Sequence, residues 1–446
     1  MDNRVYVTRL LKIIHMETFS RGNRDKGITL TSFLNSSDNG IFFCGHASII
    51  VRINQRNFLF DYVSTRSPYG SHWRFVPNQV KIPIDKISAI FVSHFHKDHF
   101  DARFLKVASR KVPVYIAGGR ESFNKELYNN RIPYTVLDTD SVCEIEKGVF
   151  VQTFLHHSNG VDSSFVIGNQ NASVYHGNDN YIKNDDLVVD RNFFPRISVA
   201  CIPYAYINWY PQLLENLSKR EKSRESRRLV HHSFEYAIAQ ALHLSAESVL
   251  PFGANLFLVD ILRSRLNDEC KSPFEFIRYV KKTQGFELSR KFLPALAGDI
   301  IFLNSEGKPC RYLTNWTEAR YSRVRARLTS KKMLPRVTKA GPLALPNLSV
   351  NKPTTNPHIV FVRHNRRAEG VSIRTDTGVV SRGVIGEILK QVYHLTIITI
   401  IDQEMFVKWC QNRLKMEWIL GTRQFKMRRL PNIYEQEILR FISTEL

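Results

Sequence analysis

The sequence predicts an α/β protein followed by a smaller α+β unit at its C-terminal end. Short apolar runs of β type, each bounded by turn residues, recur through the first 260 residues and alternate with segments of helical periodicity. Between residues 328 and 357 the composition shifts to Lys, Arg, Pro, Asn and Thr with little periodicity, which marks a linker. Of the 446 residues, 43% are hydrophobic and 11% aromatic, enough for a large packed core.

Residues 1–38 read as a polar N-terminal extension closed by the turn-forming run Asn35 to Gly40. Their opening is interrupted by charge too often for the apolar stretch of a signal peptide. Three strands follow, at Ile41–Phe43, Ser48–Ile53 and Asn57–Asp61, the last two separated by Asn54-Gln55-Arg56 as in a hairpin. Ile87–Val92 is a continuous apolar run, expected to be buried on both faces. Further strands are expected at Val112–Ala117, Val149–Leu155, Ser163–Ile167, Ala172–Tyr175 and Ser198–Ile202. Residues 211–230 look like a charged, exposed helix. Ser233–Leu244 is the clearest helix, with Phe234, Ile238, Ala241 and Leu242 at helical spacing. Ser248–Gly253 reads as a strand closing on a turn. This makes 39–327 the main domain, 328–357 the linker and 358–446 a basic C-terminal domain, β-like in its first half (Ile359–Val362, Leu395–Ile401) and helical in its second.

The net charge of +22 favours anionic partners, with nucleic acid the weaker alternative to a small anionic molecule. Six cysteines lie far apart, without a CxxC pair or the CxH…CxxH arrangement of a Rieske cluster. Scattered single thiols suit a reducing compartment, so a cytoplasmic protein is expected. No apolar run approaches the ~20 residues that span a bilayer. Oligomeric state is not legible.

The chemistry concentrates in His94-Phe95-His96-Lys97-Asp98-His99, directly after the buried strand. Residues two apart in extended backbone project the same way, so His94 and His96 can grip one cation. Asp98 and His99, further round the turn, can reach a second. Imidazole suits Zn, Mn or Fe, and the carboxylate adds tolerance for harder ions.

This run resembles the HxHxDH signature of the metallo-β-lactamase superfamily. Cys44-Gly45-His46-Ala47-Ser48, followed by a strand ending in Asp61, is similar to the opening of one branch. That branch holds ascorbate-phosphate lactonases, N-acyl-phosphatidylethanolamine phospholipases and cytidine-monophospho-N-acetylneuraminate hydroxylases. Ser71-His72-Trp73-Arg74, Ser93–Asp101, and His157-Ser158 leading into Asp162–Ile167 most resemble the neuraminate hydroxylases. The resemblance covers residues 40–260 and implies an αβ/βα sandwich, two packed mixed sheets with helices outside and metal at one edge. It implies His94 and His96 on a first metal, with His157 as third ligand (His156 being the alternative). Asp98 and His99 fall on a second metal, and Asp179 bridges the two. Asp61 is expected to orient a ligand rather than be one. Where lactonase-like members place a final histidine, this chain has Pro251-Phe252-Gly253-Ala254-Asn255. Asn255, His231 or His232 would have to substitute, or one metal suffices.

One or two divalent ions (Zn, Mn or Fe) are thus the expected cofactors. The expected activity is hydrolysis of an anionic phosphorylated, nucleotide- or sugar-linked molecule through a metal-bound hydroxide, which Asp98 orients or deprotonates. The alternatives are an iron-dependent hydroxylase and, more weakly, a nuclease. Arg66, Arg74, Lys97 and Tyr204 are candidate substrate contacts, with Arg103, His176 and Tyr206 also near in sequence. The stretch from Glu417 to Arg423 and from Arg428 to Tyr434 loosely resembles a sterol-carrier-like tail.

Overall fold

Asn54 and Gln55 both take left-handed backbone angles, and they turn the chain between two strands that pair antiparallel from Ile49–Phe60 to Ile53–Arg56. This hairpin starts the larger of two sheets. The computed structural model describes residues 20–21, 29–69, 73–118, 121–139, 141–155, 162–259, 266–267, 269–329, 346, 353–355, 357–364, 368–391, 394–430 and 436–444.

In chain order the strands begin with β1 (Ser20–Arg21), β2 (Asn39–Gly45), β3 (Ser48–Ile53), β4 (Arg56–Phe60), β5 (Trp73–Phe75), β6 (Ala89–Val92), β7 (Val114–Ala117) and β8 (Thr135–Leu137). Next come β9 (Val142–Glu146), β10 (Val149–Leu155), β11 (Ser163–Gly168), β12 (Ser173–His176), β13 (Val199–Pro203), β14 (Ser248–Phe252), β15 (Leu256–Leu258), β16 (Ile300–Leu303) and β17 (Pro309–Leu313). The large sheet runs β1-β17-β16-β2-β3-β4-β6-β7-β8 and the second β14-β13-β12-β11-β10-β9. Both are mixed: β4, β6, β7 and β8 are parallel, as are β12, β13 and β14.

The sheets share one apolar layer, in which Phe43, Phe58, Phe60 and Phe91 from the first meet Phe165, Ile167, Val174 and Leu250 from the second. Each such side chain, fully buried, contributes about 1.5–3 kcal/mol. Phe60 and Phe91 stack at 4.7 Å, and Phe165 meets Phe91 edge-on at 5.6 Å. All four residues of β6 are buried, as its unbroken apolar run requires. This is the αβ/βα sandwich with an additional C-terminal unit.

The helices expected at 211–230 and 233–244 are one helix, Lys219–Leu244, and residues 211–218 stand outside it as turns. Ser218 caps it, accepting from the Glu221 amide, while the Glu221 carboxylate accepts from the Ser218 amide. No helix breaker separates the charged first turns from the apolar stripe of Val230, Phe234, Ile238 and Ala241, so the helix propagates through both. In the 1–38 segment, Phe33 on helix Leu30–Leu34 is fully buried against Phe42 and Phe302.

Most of 330–352 lies outside the described residues. Beyond it stand β18 (Ile359–His364), β19 (Glu369–Arg374), β20 (Val380–Val384), β21 (Leu395–Ile400) and β22 (Phe425–Leu430), ordered β20-β19-β18-β21-β22. Helices Gln403–Cys410, Met416–Thr422 and Gln436–Thr444 accompany them. The second half was expected to be helical, yet it contains β22. Phe425, Met427 and Arg429 point inward there while Lys426 and Arg428 are exposed, an alternation masked by the density of cations. Leu213–Asn216 runs alongside this strand: the Glu215 amide donates to Met427 O at 2.8 Å and the Met427 amide to Leu213 O at 3.0 Å. One apolar cluster joins Trp73, Phe75, Leu214 and Leu258 to Val362, Ile398, Trp409 and Ile419.

Candidate metal centre

The carboxyl end of β6 delivers Ser93 and His94, and that of β12 delivers Gly177-Asn178-Asp179. The β2–β3 turn brings His46, and Asp162 immediately precedes β11. Sheet packing thus places one edge of both sheets around a common point. Asn178 holds the left-handed conformation (φ 55°) that an Asn tolerates better than most residues, and its amide donates to Ser163 O at 2.8 Å.

Three overlapping sets of side chains have their ligand atoms within 4.8 Å of one another: His94, His96 and Asp162; His94, His99 and Asp179; His46, Asp98 and His99. His94 Nε2 lies 2.7 Å from His96 Nδ1. His99 Nε2 lies 3.3 Å from Asp179 and 3.9 Å from Asp98, and is buried without a hydrogen-bond partner. His46 Nε2 meets Asp98 Oδ2 at 3.2 Å, while Tyr69 donates its hydroxyl to Asp98 Oδ1 at 2.9 Å.

Asp61, fully buried, organises the histidines from below. It accepts from the Ser93 amide (2.8 Å), the Ser93 hydroxyl (2.6 Å) and His99 Nδ1 (3.0 Å). Ser93 Oγ, with its proton committed to Asp61, accepts from His94 Nδ1 at 3.1 Å. One carboxylate therefore sets the tautomer of two imidazoles and turns both Nε2 lone pairs into the site.

The electrostatics favour a cation. Burial and the neighbouring His99 and His96 hold His94 well below its ordinary range, so it is a neutral donor. Burial alone would lower His99, but the Asp179 and Asp98 carboxylates raise it well above its usual value. Burial alone would raise Asp98, but His99 and His46 pull it far down. The neutral His94 imidazole, and ionised Asp98 and Asp179 carboxylates that draw positive charge onto His99, form a donor set suited to divalent metal ions. The residues present fit such ions.

The structure brings together His94, His96, Asp98, His99 and Asp179, with Asp61 beneath. His156 and His157 lie outside the described residues. Two participants had no role read from sequence. Asp162 stands beside the His94–His96 pair, and its only signal was a carboxylate at the head of a strand. His46, in the Gly45-His46 turn, reaches Asp98. Of the residues proposed to replace the absent histidine, His231 and His232 are exposed on helix Lys219–Leu244. Asn255 is buried, its carbonyl accepting from the Val76 amide. The vacated position is at the site: a Cβ on Gly253 would stand 3.7 Å from Asp179 Oδ1.

The substrate contacts fare differently. Tyr204 is packed in the core against Phe276 and Phe234 and donates to Lys271 O at 2.7 Å, so it has no surface to offer a substrate. Lys97 pairs with Glu126 at 3.3 Å and lies over the Phe100 ring. Arg74 donates to Ser67 Oγ and to Trp73 O, and Arg66 and Arg103 are exposed. His176 is buried with Nε2 on Ala47 O at 2.8 Å.

Residues 41–212 match the family described as the metallo-beta-lactamase superfamily. A Mycobacterium tuberculosis protein named as a Rieske 2Fe-2S iron-sulfur protein is 25% identical over 243 residues, covering 51% of this chain and 46% of its own. The chain thus spans about half the length of the curated relatives it matches. Among solved structures, a metallo hydrolase from Ignicoccus hospitalis is similar at 14% identity and TM-score 0.40, covering 60% of this chain and 98% of its own. The diiron beta-hydroxylase CmlA from Streptomyces venezuelae is similar at 14% identity and TM-score 0.38, covering 60% and 54%. Among the described residues no helix is long and apolar enough to cross a membrane.

Proposed function

We propose that the chain is a metal-dependent hydrolase acting on a small anionic molecule, phosphorylated or linked to a nucleotide or sugar. The observation that carries this reading is the convergence of His94, His96, Asp162, His99, Asp179, Asp98 and His46 at the edge shared by both sheets. His94 and His96 would hold one ion with Asp162, His99 and Asp179 would meet a second, and His157 remains a proposed ligand of the first. A divalent ion held there lowers the pKa of bound water to ~7 and polarises the bond to be cleaved. Asp98, kept ionised by His99 and His46, orients the attacking water and accepts its proton. Tyr69, already donating to Asp98, holds that carboxylate in place. Asp61 keeps His99 and, through Ser93, His94 in the ligating tautomer.

An iron-dependent hydroxylase is the second reading. It rests on the mycobacterial relative, whose name implies a Rieske cluster, and on the resemblance of residues 40–260 to neuraminate hydroxylases. Metal analysis of protein purified under low oxygen, with turnover of a generic phosphodiester and a lactone, separates the two. Zn or Mn with turnover that is lost in Asp98→Asn supports the hydrolase. Two irons with an oxygen-sensitive near-ultraviolet band and no hydrolysis would replace it with the hydroxylase. If His94→Ala and Asp179→Ala both keep full metal content, the ligand set is wrong.

A further inference from the structure

Helix Lys219–Leu244 changes character along a single stripe. In its second half the inward side carries Val230, Phe234, Ala237 and Ala241, all buried in one apolar cluster. Residues three or four apart share a side of a helix, so the same stripe runs back through Arg227, Ser226, Ser223 and Lys219. The side that packs on the core at one end is therefore polar and cationic at the other.

There it lines a recess of about 520 Å³, within the ~300–1,000 Å³ of small-molecule sites. Gln212 lines it too, with Glu269 and Lys271 from the stretch that leads into helix Pro273–Gln284. None of the metal-centre side chains does.

The charges around this recess are unbalanced. Lys219, Lys222, Arg227 and Lys271 face Glu269 as the one lining carboxylate. Glu269 is buried, and its Oε1 accepts from Gln212 Nε2 at 3.0 Å and from the Ser226 hydroxyl. Lys222 donates to Gln212 O at 2.9 Å, and Lys271 lies 3.8 Å from Glu275. Lys219 and Arg227 are exposed and have no hydrogen bond or ion pair among the described residues. The carboxylates nearest them on the helix are engaged elsewhere: Glu221 accepts from the Ser218 amide, and Glu225 pairs with Arg228 at 2.7 Å. Like charges gathered on one wall repel one another, and an anion seated between them removes that repulsion.

We propose that this recess is a second ligand site, separate from the metal centre, which takes the diphosphate group of a small molecule. Lys219 and Arg227 stand about 12 Å apart along the helix axis, so they flank an elongated anion rather than a lone carboxylate. Arg227 presents the planar fork that bonds two phosphate oxygens at once, while Lys219 and Lys222 act as point charges. Buried Val230 ends the polar stretch and gives the organic part of the ligand an apolar contact. The site stands independently of the metal reading.

Calorimetric titration of inorganic pyrophosphate into the full chain tests the assignment. Lys219→Gln combined with Arg227→Gln is compared with Arg220→Gln combined with Arg224→Gln, which removes the same charge from the same helix outside the recess. The first pair is expected to weaken binding about tenfold or more and the second by less than about twofold. Ser223→Glu, which sets a carboxylate on the recess wall, should act as the first pair does. All five positions are exposed, so unfolding midpoints should move no more than surface substitutions move them. Binding that persists in His94→Ala separates the recess from the metal centre. Equal weakening by both pairs would reduce the effect to the overall charge of the helix and overturn the site. So would binding that survives the first pair and Ser223→Glu, that disappears in His94→Ala, or that is absent from the wild type.

Discussion

Replacing Asp61 by Asn removes one charge and nothing of the shape, which isolates what that carboxylate does. In the native site it accepts three hydrogen bonds, two from Ser93 and one from His99 Nδ1, at zero exposure. Asn can keep the bond from the Ser93 amide through its carbonyl oxygen. Its NH2 then faces the Ser93 hydroxyl, which can rotate to accept, and His99 Nδ1, which cannot both accept and remain protonated. His99 must shift its proton to Nε2, the atom directed at Asp179 and Asp98. Loss of a buried charge-assisted bond costs about 1.5–3 kcal/mol of stability. Ligand misorientation of this kind lowers metal affinity by about 10–100-fold. Denaturant unfolding measures the first and competition with a chromophoric chelator the second. If Asp61→Asn binds metal as tightly as the wild type and unfolds at the same midpoint, the role of Asp61 in setting both tautomers is refuted.

Three further outcomes follow from the same geometry. Asp299 is buried, and desolvation raises its carboxyl from 3.8 to about 7 despite hydrogen bonds from the Leu296 amide and Tyr312. A carboxyl raised on folding contributes stability below its unfolded value and loses it as pH rises through 7, at most about 4 kcal/mol in all; unfolding midpoints across this window should fall in the wild type and flatten in Asp299→Asn. Chelation with EDTA should lower the melting temperature, because an ion bound at about 100 times its Kd contributes about 2.7 kcal/mol; zinc or manganese should restore it, and His94→Ala should not respond. Phe91→Ala removes the ring stacked between Phe60 and Tyr115 beneath the histidine loop and should cost about 3–5 kcal/mol by chemical denaturation; a loss under 1 kcal/mol, about what a surface change gives, would mean the aromatic floor is not a tight packing unit.

The amino-acid sequence alone determined the α/β class, the hairpin at Asn54-Gln55 and the core of the site. It could do so because these signals are local: a turn is set by adjacent residues, a buried strand by one apolar run, and His94, His96, Asp98 and His99 by a single loop. Helix Lys219–Leu244 was legible in its apolar half and merged with its charged half only once Ser218 capped it. Strand β22 was hidden by its own cations. The tertiary structure alone decided that His46 reaches Asp98 across 52 residues of sequence, that Asp162 stands by His94, and that Tyr204 belongs to the core. It also decided that Trp73 bonds Gly421 across 348 residues. No periodicity or spacing encodes such meetings. They arise because two sheets and a C-terminal unit bury their apolar faces against one another, and whatever polar side chains stand at the shared edge are then held together.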